Sequence, residues 1–252
     1  MIEIFGSKEE RIQMKIYAHR GFSGQYPENT MEVFFQVLKT PAEGIELDVQ
    51  LSKDGEVVVI HDETVDRTTS GSGYVKDYSL TELKKFQIHH SNCSVQTIPT
   101  LDEVLCWIQE TQLSLNIELK TDRIRYEGIE EKVLMEIEKY GLSDRVYFSS
   151  FHYETVQRCK CLAPHIPAHF LISRSFKKSP LTLKVDQING LNPNVALLKN
   201  QKRIRLYQMQ GIKIYPYTIN QKEQLSLCLA TRCDGVITDY PVQLKEWLSQ
   251  LE

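Results

Sequence analysis

Gly44-Ile45-Glu46-Leu47-Asp48-Val49 alternates apolar and acidic residues with a period of two. In an extended strand Glu46 and Asp48 therefore share one face, while Leu47 and Val49 share the other. An exposed edge strand carries such a pattern too, but the rest of the chain argues against it. Strand-length apolar runs recur at residues 15–18, 44–49, 113–119, 145–149, 168–172, 187–191, 213–217 and 235–237, with helix-period segments or capped loops between them. That is the pattern of repeated βα units around a parallel sheet, and eight of them predict a closed (β/α)8 TIM barrel over an open sheet. Barrel strands are covered by helices outside and packed by side chains inside, so the acidic face of 44–49 turns to the interior. Two inward carboxylates repel unless something cationic lies between them.

Three helix starts support this phasing: Asn29, Ser79 and Thr100 each stand three residues before a glutamate, Glu32, Glu82 and Glu103. Between the second and third units lies a longer stretch, about 51–99. It holds a Lys53-Asp54-Gly55 turn, a strand at 56–60 and a Gly71-Ser72-Gly73 loop, and it reads as an insertion over one end of the barrel. The glycine loop lacks the Lys-Ser/Thr that a nucleotide-phosphate loop needs and reads as a flexible cover. No linker or low-complexity run divides the chain, so residues 1–252 are expected to form one domain, with the residues before Met14 as an extension.

The whole-chain totals narrow the partners. Thirty basic and 33 acidic residues give a net charge of −3, and read as scattered along the chain they leave no basic stripe for nucleic acid. No apolar run is long enough for a leader or a membrane span, which predicts a cytoplasmic protein without stable membrane association. Six cysteines include no CxxC pair, so they are expected as reduced thiols.

A second alternating run, Asn116-Ile117-Glu118-Leu119-Lys120, places Asn116, Glu118 and Lys120 on one face. Glu46, Asp48 and Glu118 are then three oxygen donors at adjacent strand ends, a set that selects one hard divalent cation, Mg²⁺ or Ca²⁺, rather than zinc. The first strand runs into His19-Arg20-Gly21, and the strand of the insertion runs into His61-Asp62. Two imidazoles, three acids, a guanidinium and an ammonium on strand ends amount to a catalytic set.

These stretches, with Pro27-Glu28-Asn29-Thr30, Asp54-Gly55, Arg67-Thr68-Thr69, Tyr217-Thr218-Ile219-Asn220 and Asp234-Gly235-Val236-Ile237-Thr238-Asp239-Tyr240-Pro241, follow one order. From about residue 16 to 241 the chain resembles the glycerophosphodiester phosphodiesterase family. The resemblance implies a TIM barrel with a small insertion after the second strand. It implies Glu46, Asp48 and Glu118 as metal ligands, His19 and His61 as the acid/base pair, and Arg20 and Lys120 on the phosphate. Phe151 and Tyr217, the latter where many members carry Trp, are candidate pocket walls. With one dication and one phosphodiester, the formal charges of that set cancel. The implied reaction is metal-dependent hydrolysis of small glycerophosphodiesters to glycerol 3-phosphate and an alcohol, with the substrate's own glycerol hydroxyl as a possible nucleophile. Two alternatives are a lysophospholipase D-type activity on lysophospholipids and a barrel that binds phosphorylated ligands without catalysis.

Overall fold

The computed structural model describes residues 14–251, so the expected extension before Met14 lies outside the described residues. Nine strands are arranged as β1 (Lys15–His19), β2 (Gly44–Leu51), β3 (Val57–Val59), β4 (Ser114–Leu119), β5 (Val146–Ser150), β6 (Ala168–Ile172), β7 (Gly190–Pro193), β8 (Lys213–Ile214) and β9 (Gly235–Thr238). Eight are parallel, in the order β8-β7-β6-β5-β4-β2-β1-β9, and β3 pairs antiparallel with β2. Two backbone bonds bridge the remaining gap between the ends of that path: Asp234 N–H to the Ile214 carbonyl and Ile237 N–H to the Pro216 carbonyl, each 3.0 Å. The result is a (β/α)8 barrel.

The helices α1 (Met31–Val37), α3 (Leu101–Ile108), α4 (Ile129–Lys139), α5 (Tyr153–Leu162), α6 (Pro180–Val185), α7 (Gln201–Gln208), α8 (Lys222–Ala230) and α9 (Pro241–Leu251) form the outer layer, while the short α2 (Leu80–Leu83) belongs to the insertion. The alternation in β2 and β4 sorts their side chains. Leu47, Val49, Ile117 and Leu119 are buried in the main core, and their polar neighbours point inward. In β3, Val57 and Val59 join that core, whereas Val58 and the following Ile60 join a second one with Val65, Val75, Leu83, Ile88 and Ile98. One strand of period two thus anchors the insertion to the barrel.

Two expected local details differ. Thr30, not Asn29, caps α1, accepting from Val33 N–H; Asn29 has φ 54° and turns its amide to Asp48. The strand expected at 187–191 begins at Gly190, because α6 closes with a Schellman turn: Ile188 N–H bonds the Leu183 carbonyl and Gln187 N–H the Lys184 carbonyl. Gln187 takes the left-handed conformation there (φ 56°), a place where glycine is the usual marker.

Candidate active site

Parallel pairing brings the inward residues of β1, β2 and β4 level: His19 lies beside Glu46, Glu46 beside Asn116, and Asp48 beside Glu118. Glu46, Asp48 and Glu118, all buried, each offer a carboxylate oxygen within 4.8 Å of the other two. Lys120, at the carboxyl end of β4, donates to Glu118 Oε1 at 2.8 Å and stands 3.9 Å from Asp48 Oδ1. After β1 the chain turns sharply through Arg20 (φ 53°) and Gly21 (φ 84°). A Cβ at Gly21 would sit 2.6 Å from a methyl of Val33. That turn aims the Arg20 N–H at Glu46 Oε2, 2.9 Å away, and brings its guanidinium 3.5 Å from Asp48.

The two imidazoles are held alike. His19 Nδ1 is 2.6 Å from Asp239 Oδ1, and His61 Nδ1 is 2.6 Å from Asp62 Oδ1. With Nδ1–H of each ring donating to its carboxylate, Nε2 of each ring faces the centre, 3.9 Å from Glu46 Oε2 for His19 and 3.3 Å from Lys120 Nζ for His61. Arg67 Nε donates to Asp62 at 2.6 Å and its terminal nitrogens to Glu28, which also accepts from Arg20 Nη1 at 2.8 Å. Sequence reasoning quoted Glu28, Asn29, Arg67, Asn220 and Asp239 within motifs but gave none of them a role in the site. For Asp62 adjacency to His61 was a usable signal, whereas Asp239 meets His19 across 220 residues of chain.

The electrostatics are lopsided. Burial and the neighbouring Asp48 charge push the Glu46 carboxyl up to about 8. Burial acts on Asp48 too, but Arg20 and Lys120 overcome it and hold Asp48 down at about 2. Glu118 is raised, by burial and then Asp48, against the opposing charge of Lys120. Burial lowers His19, yet the Asp239 hydrogen bond and the Glu46 charge leave it above its ordinary value. Asp48 Oδ1 is buried without a hydrogen-bond partner among the described residues. An unsatisfied buried carboxylate oxygen between two further carboxylates, one of them holding its proton to about pH 8, fits a bound divalent cation.

A cavity of about 140 Å³ opens over these groups, walled by His19, Arg20, His61, Phe151, Leu171 and Tyr217. Phe151 and Tyr217 meet edge to face at 5.9 Å, and Lys120 Nζ lies 5.7 Å from the centre of the Phe151 ring. His61, Lys120 and Phe151 also border a wider cleft of about 570 Å³ with Glu63, Tyr74, Asp122 and Ser173. A cleft of about 540 Å³ at the opposite, amino-terminal end of the strands runs past Tyr17, Tyr147, His169 and Tyr215. Its lining holds no cluster of carboxylates, whereas Glu46 and Glu118 line the smaller cavity. His169 is packed there beside Asn192, 2.9 Å away.

A (β/α)8 barrel with three buried acids, two carboxylate-oriented imidazoles, a guanidinium and an ammonium at the carboxyl ends of its strands defines an enzyme for an anionic ester. Comparison with known proteins makes the class specific. A profile of the glycerophosphoryl diester phosphodiesterase family matches residues 19–243, and the chain belongs to that family. It is 43% identical over 233 residues to the glycerophosphodiester phosphodiesterase of Bacillus altitudinis, covering 90% of this chain and 95% of that one. It is 38% identical over 237 residues to that of Caldanaerobacter subterraneus, covering 91% and 95%. Among solved structures, an Oleispira antarctica phosphodiesterase in complex with the product sn-glycerol-3-phosphate superposes with TM-score 0.81 at 28% identity, covering 93% and 96%.

Proposed function

We propose that this chain, as one domain with an insertion at about 51–99, hydrolyses small glycerophosphodiesters to glycerol 3-phosphate and an alcohol. Glu46, Asp48 and Glu118 would hold one divalent cation, Mg²⁺ or Ca²⁺, whose charge would stabilise negative charge developing on the phosphate oxygens. The observation that carries this reading is the meeting of that acidic triad with two imidazoles whose Nδ1 atoms are both engaged by carboxylates. Arg20 supplies a forked donor and Lys120 a point charge for the phosphate. His19 and His61 move the protons through Nε2.

Access supports a division of roles between the two imidazoles. His61 borders both the small cavity and the wide cleft, while His19 lines the small one. The leaving alcohol departs through the cleft, so His61 protonates it and His19 removes the proton of the nucleophilic hydroxyl. Phe151 and Tyr217 close the inner wall, and about 140 Å³ suits a glycerol phosphate better than a larger acylated group. The product bound in the Oleispira structure supports glycerol 3-phosphate as a product here. No described helix is long and apolar enough to cross a membrane, and all six cysteines are free, in keeping with a reducing cytoplasm.

The test is a coupled assay for glycerol 3-phosphate across several glycerophosphodiesters. EDTA should abolish turnover, and Mg²⁺ or Ca²⁺ should restore it. Product from lysophospholipids at higher kcat/KM than from glycerophosphodiesters would redirect the assignment. Ligand binding without turnover across the panel would reduce the barrel to a binding protein.

A further inference from the structure

The even scatter of charge expected from the whole-chain totals fails on one side of the barrel. Residues 174–213 carry nine lysines and arginines against a single acid, Asp186, in a chain whose formal net charge is −3. Of the nine, only Lys213 forms an ion pair with a carboxylate among the described residues, with Asp234 at 2.7 Å. Asp186 is itself occupied by the hydroxyl of Tyr153 and the amide of Gln157.

The helices of this side present bulky apolar groups between the charges. On α6, Leu181 and Val185 are 63% and 70% exposed and flank Lys184 on the same face. On α7, Lys202, Arg205, Leu206 and Met209 follow at spacings of three, one and three, which puts them on one face, with Met209 77% exposed. Ile204 and Tyr207 are buried on the other face. Tyr207 stacks on Phe176 at 5.6 Å and donates to the Lys178 carbonyl, so α7 is locked to the segment that leads into α6. The surface begins at the mouth of the candidate site, because Arg174 follows Ser173, which borders the wide cleft.

We propose that the α6–α7 side is a docking surface for an anionic lipid bilayer. Charge complementarity argues for it: unpaired lysines and arginines near a membrane of acidic lipids are each attracted to it, and the interleaved Leu181, Val185, Leu206 and Met209 enter the headgroup boundary. A nucleic-acid backbone would use the same charges but leave those four apolar groups in water. The attachment is peripheral and salt-sensitive, and it does not depend on which diester the enzyme cleaves.

The test is cosedimentation of the full chain with phosphatidylcholine vesicles with and without phosphatidylglycerol. Binding should require phosphatidylglycerol and fall steeply from about 0.05 M to about 0.5 M salt. Each charge removed should weaken it about fivefold, so Lys202→Glu with Arg205→Glu should cost at least about 25-fold. Leu206→Ser with Met209→Ser should cost about tenfold. Both pairs should hydrolyse soluble glycerophosphodiesters within about twofold of the parent chain, which reports that they fold. No binding to phosphatidylglycerol vesicles at low salt overturns the proposal. So does binding to RNA as tight as to vesicles with no effect of the serine pair, or a glutamate pair whose sole effect is to dissociate a dimer.

Discussion

Binding of the cation should expel at least one proton, and Glu46 is its source. The Glu46 carboxyl is almost wholly enclosed and shares its space with Asp48 and Glu118, whose oxygens lie within 4.8 Å. Burial and the Asp48 charge raise it to about 8, whereas Asp48 stays ionised above about 2 because Arg20 and Lys120 prevail over its burial. Below pH 8 the metal-free site therefore carries a proton that a dication must displace. One displaced proton makes the association constant rise about tenfold per pH unit, or about a hundredfold from pH 5.5 to 7.5. Calorimetric titration of Mg²⁺ or Ca²⁺ into stripped protein, in buffers of different ionisation enthalpy, gives both the affinity and the proton count. Glu46→Gln has no proton to lose there, so it should bind more weakly and with a slope lower by one. The same shift has a consequence for stability. A carboxyl raised in the fold binds more protons native than unfolded between its ordinary value and about 8, so the stripped protein should lose stability as pH rises through that window, and cation should restore it. An affinity that stays flat from pH 5.5 to 7.5, with no proton released, refutes the reasoning.

Replacing His61 with Ala should reduce turnover of an ordinary glycerophosphodiester by about 10²- to 10⁴-fold but spare a substrate with a p-nitrophenolate leaving group, whereas His19→Ala should impair both; kcat/KM for the two substrates decides it. Asp239→Asn removes the hydrogen bond that lifts His19 against its burial, so the corresponding limb of the pH–rate profile should move to lower pH. A raised histidine stabilises the fold below its unfolded value and loses that contribution as pH rises through the folded one, so this variant's melting deficit should be larger at pH 5.5 than at pH 8.5. Leu47→Ala deletes a fully buried side chain on the helix-facing side of β2 and should cost about 2–5 kcal/mol in denaturant unfolding.

What sequence made legible follows from the range of the forces involved. Period-two alternation in β2 and β4 is a local property, and it predicted both the inward acids and their level meeting, since adjacent parallel strands pair residue by residue. The capping boxes at Ser79 and Thr100 were equally local and are present with their glutamates. Asn29 failed as a cap because a buried carboxylate, Asp48, offered its amide a stronger partner. The strand expected at 187–191 starts late, at Gly190, because a Schellman turn closes on glutamine instead of glycine. Asp239 could not be assigned, because its meeting with His19 exists only once the ninth strand lies beside the first.

The hydrogen-bonded ions around the candidate site tie the insertion to the barrel end where the acids meet. From His61 the links run to Asp62, then Arg67, then Glu28, then Arg20, whose guanidinium lies 3.5 Å from Asp48. Signs alternate along this series, so each charge is neutralised by its neighbours, and the buried Asp48 gains a cation without the protein placing a lone guanidinium in its interior. Asp62 is held well below the usual carboxylate range by Arg67 and His61 in spite of burial, which keeps it a hydrogen-bond acceptor for the imidazole at any working pH. Arg67 itself is half exposed, so its pairs contribute little to folding; their effect is to fix the angle at which the insertion presents His61 to the barrel. His61 follows the antiparallel β3 and His19 ends the parallel β1, two strands that both pair with β2. The series of ions joins the loop after β3 to the turn after β1, and so fixes where His61 stands relative to Arg20 and Asp48.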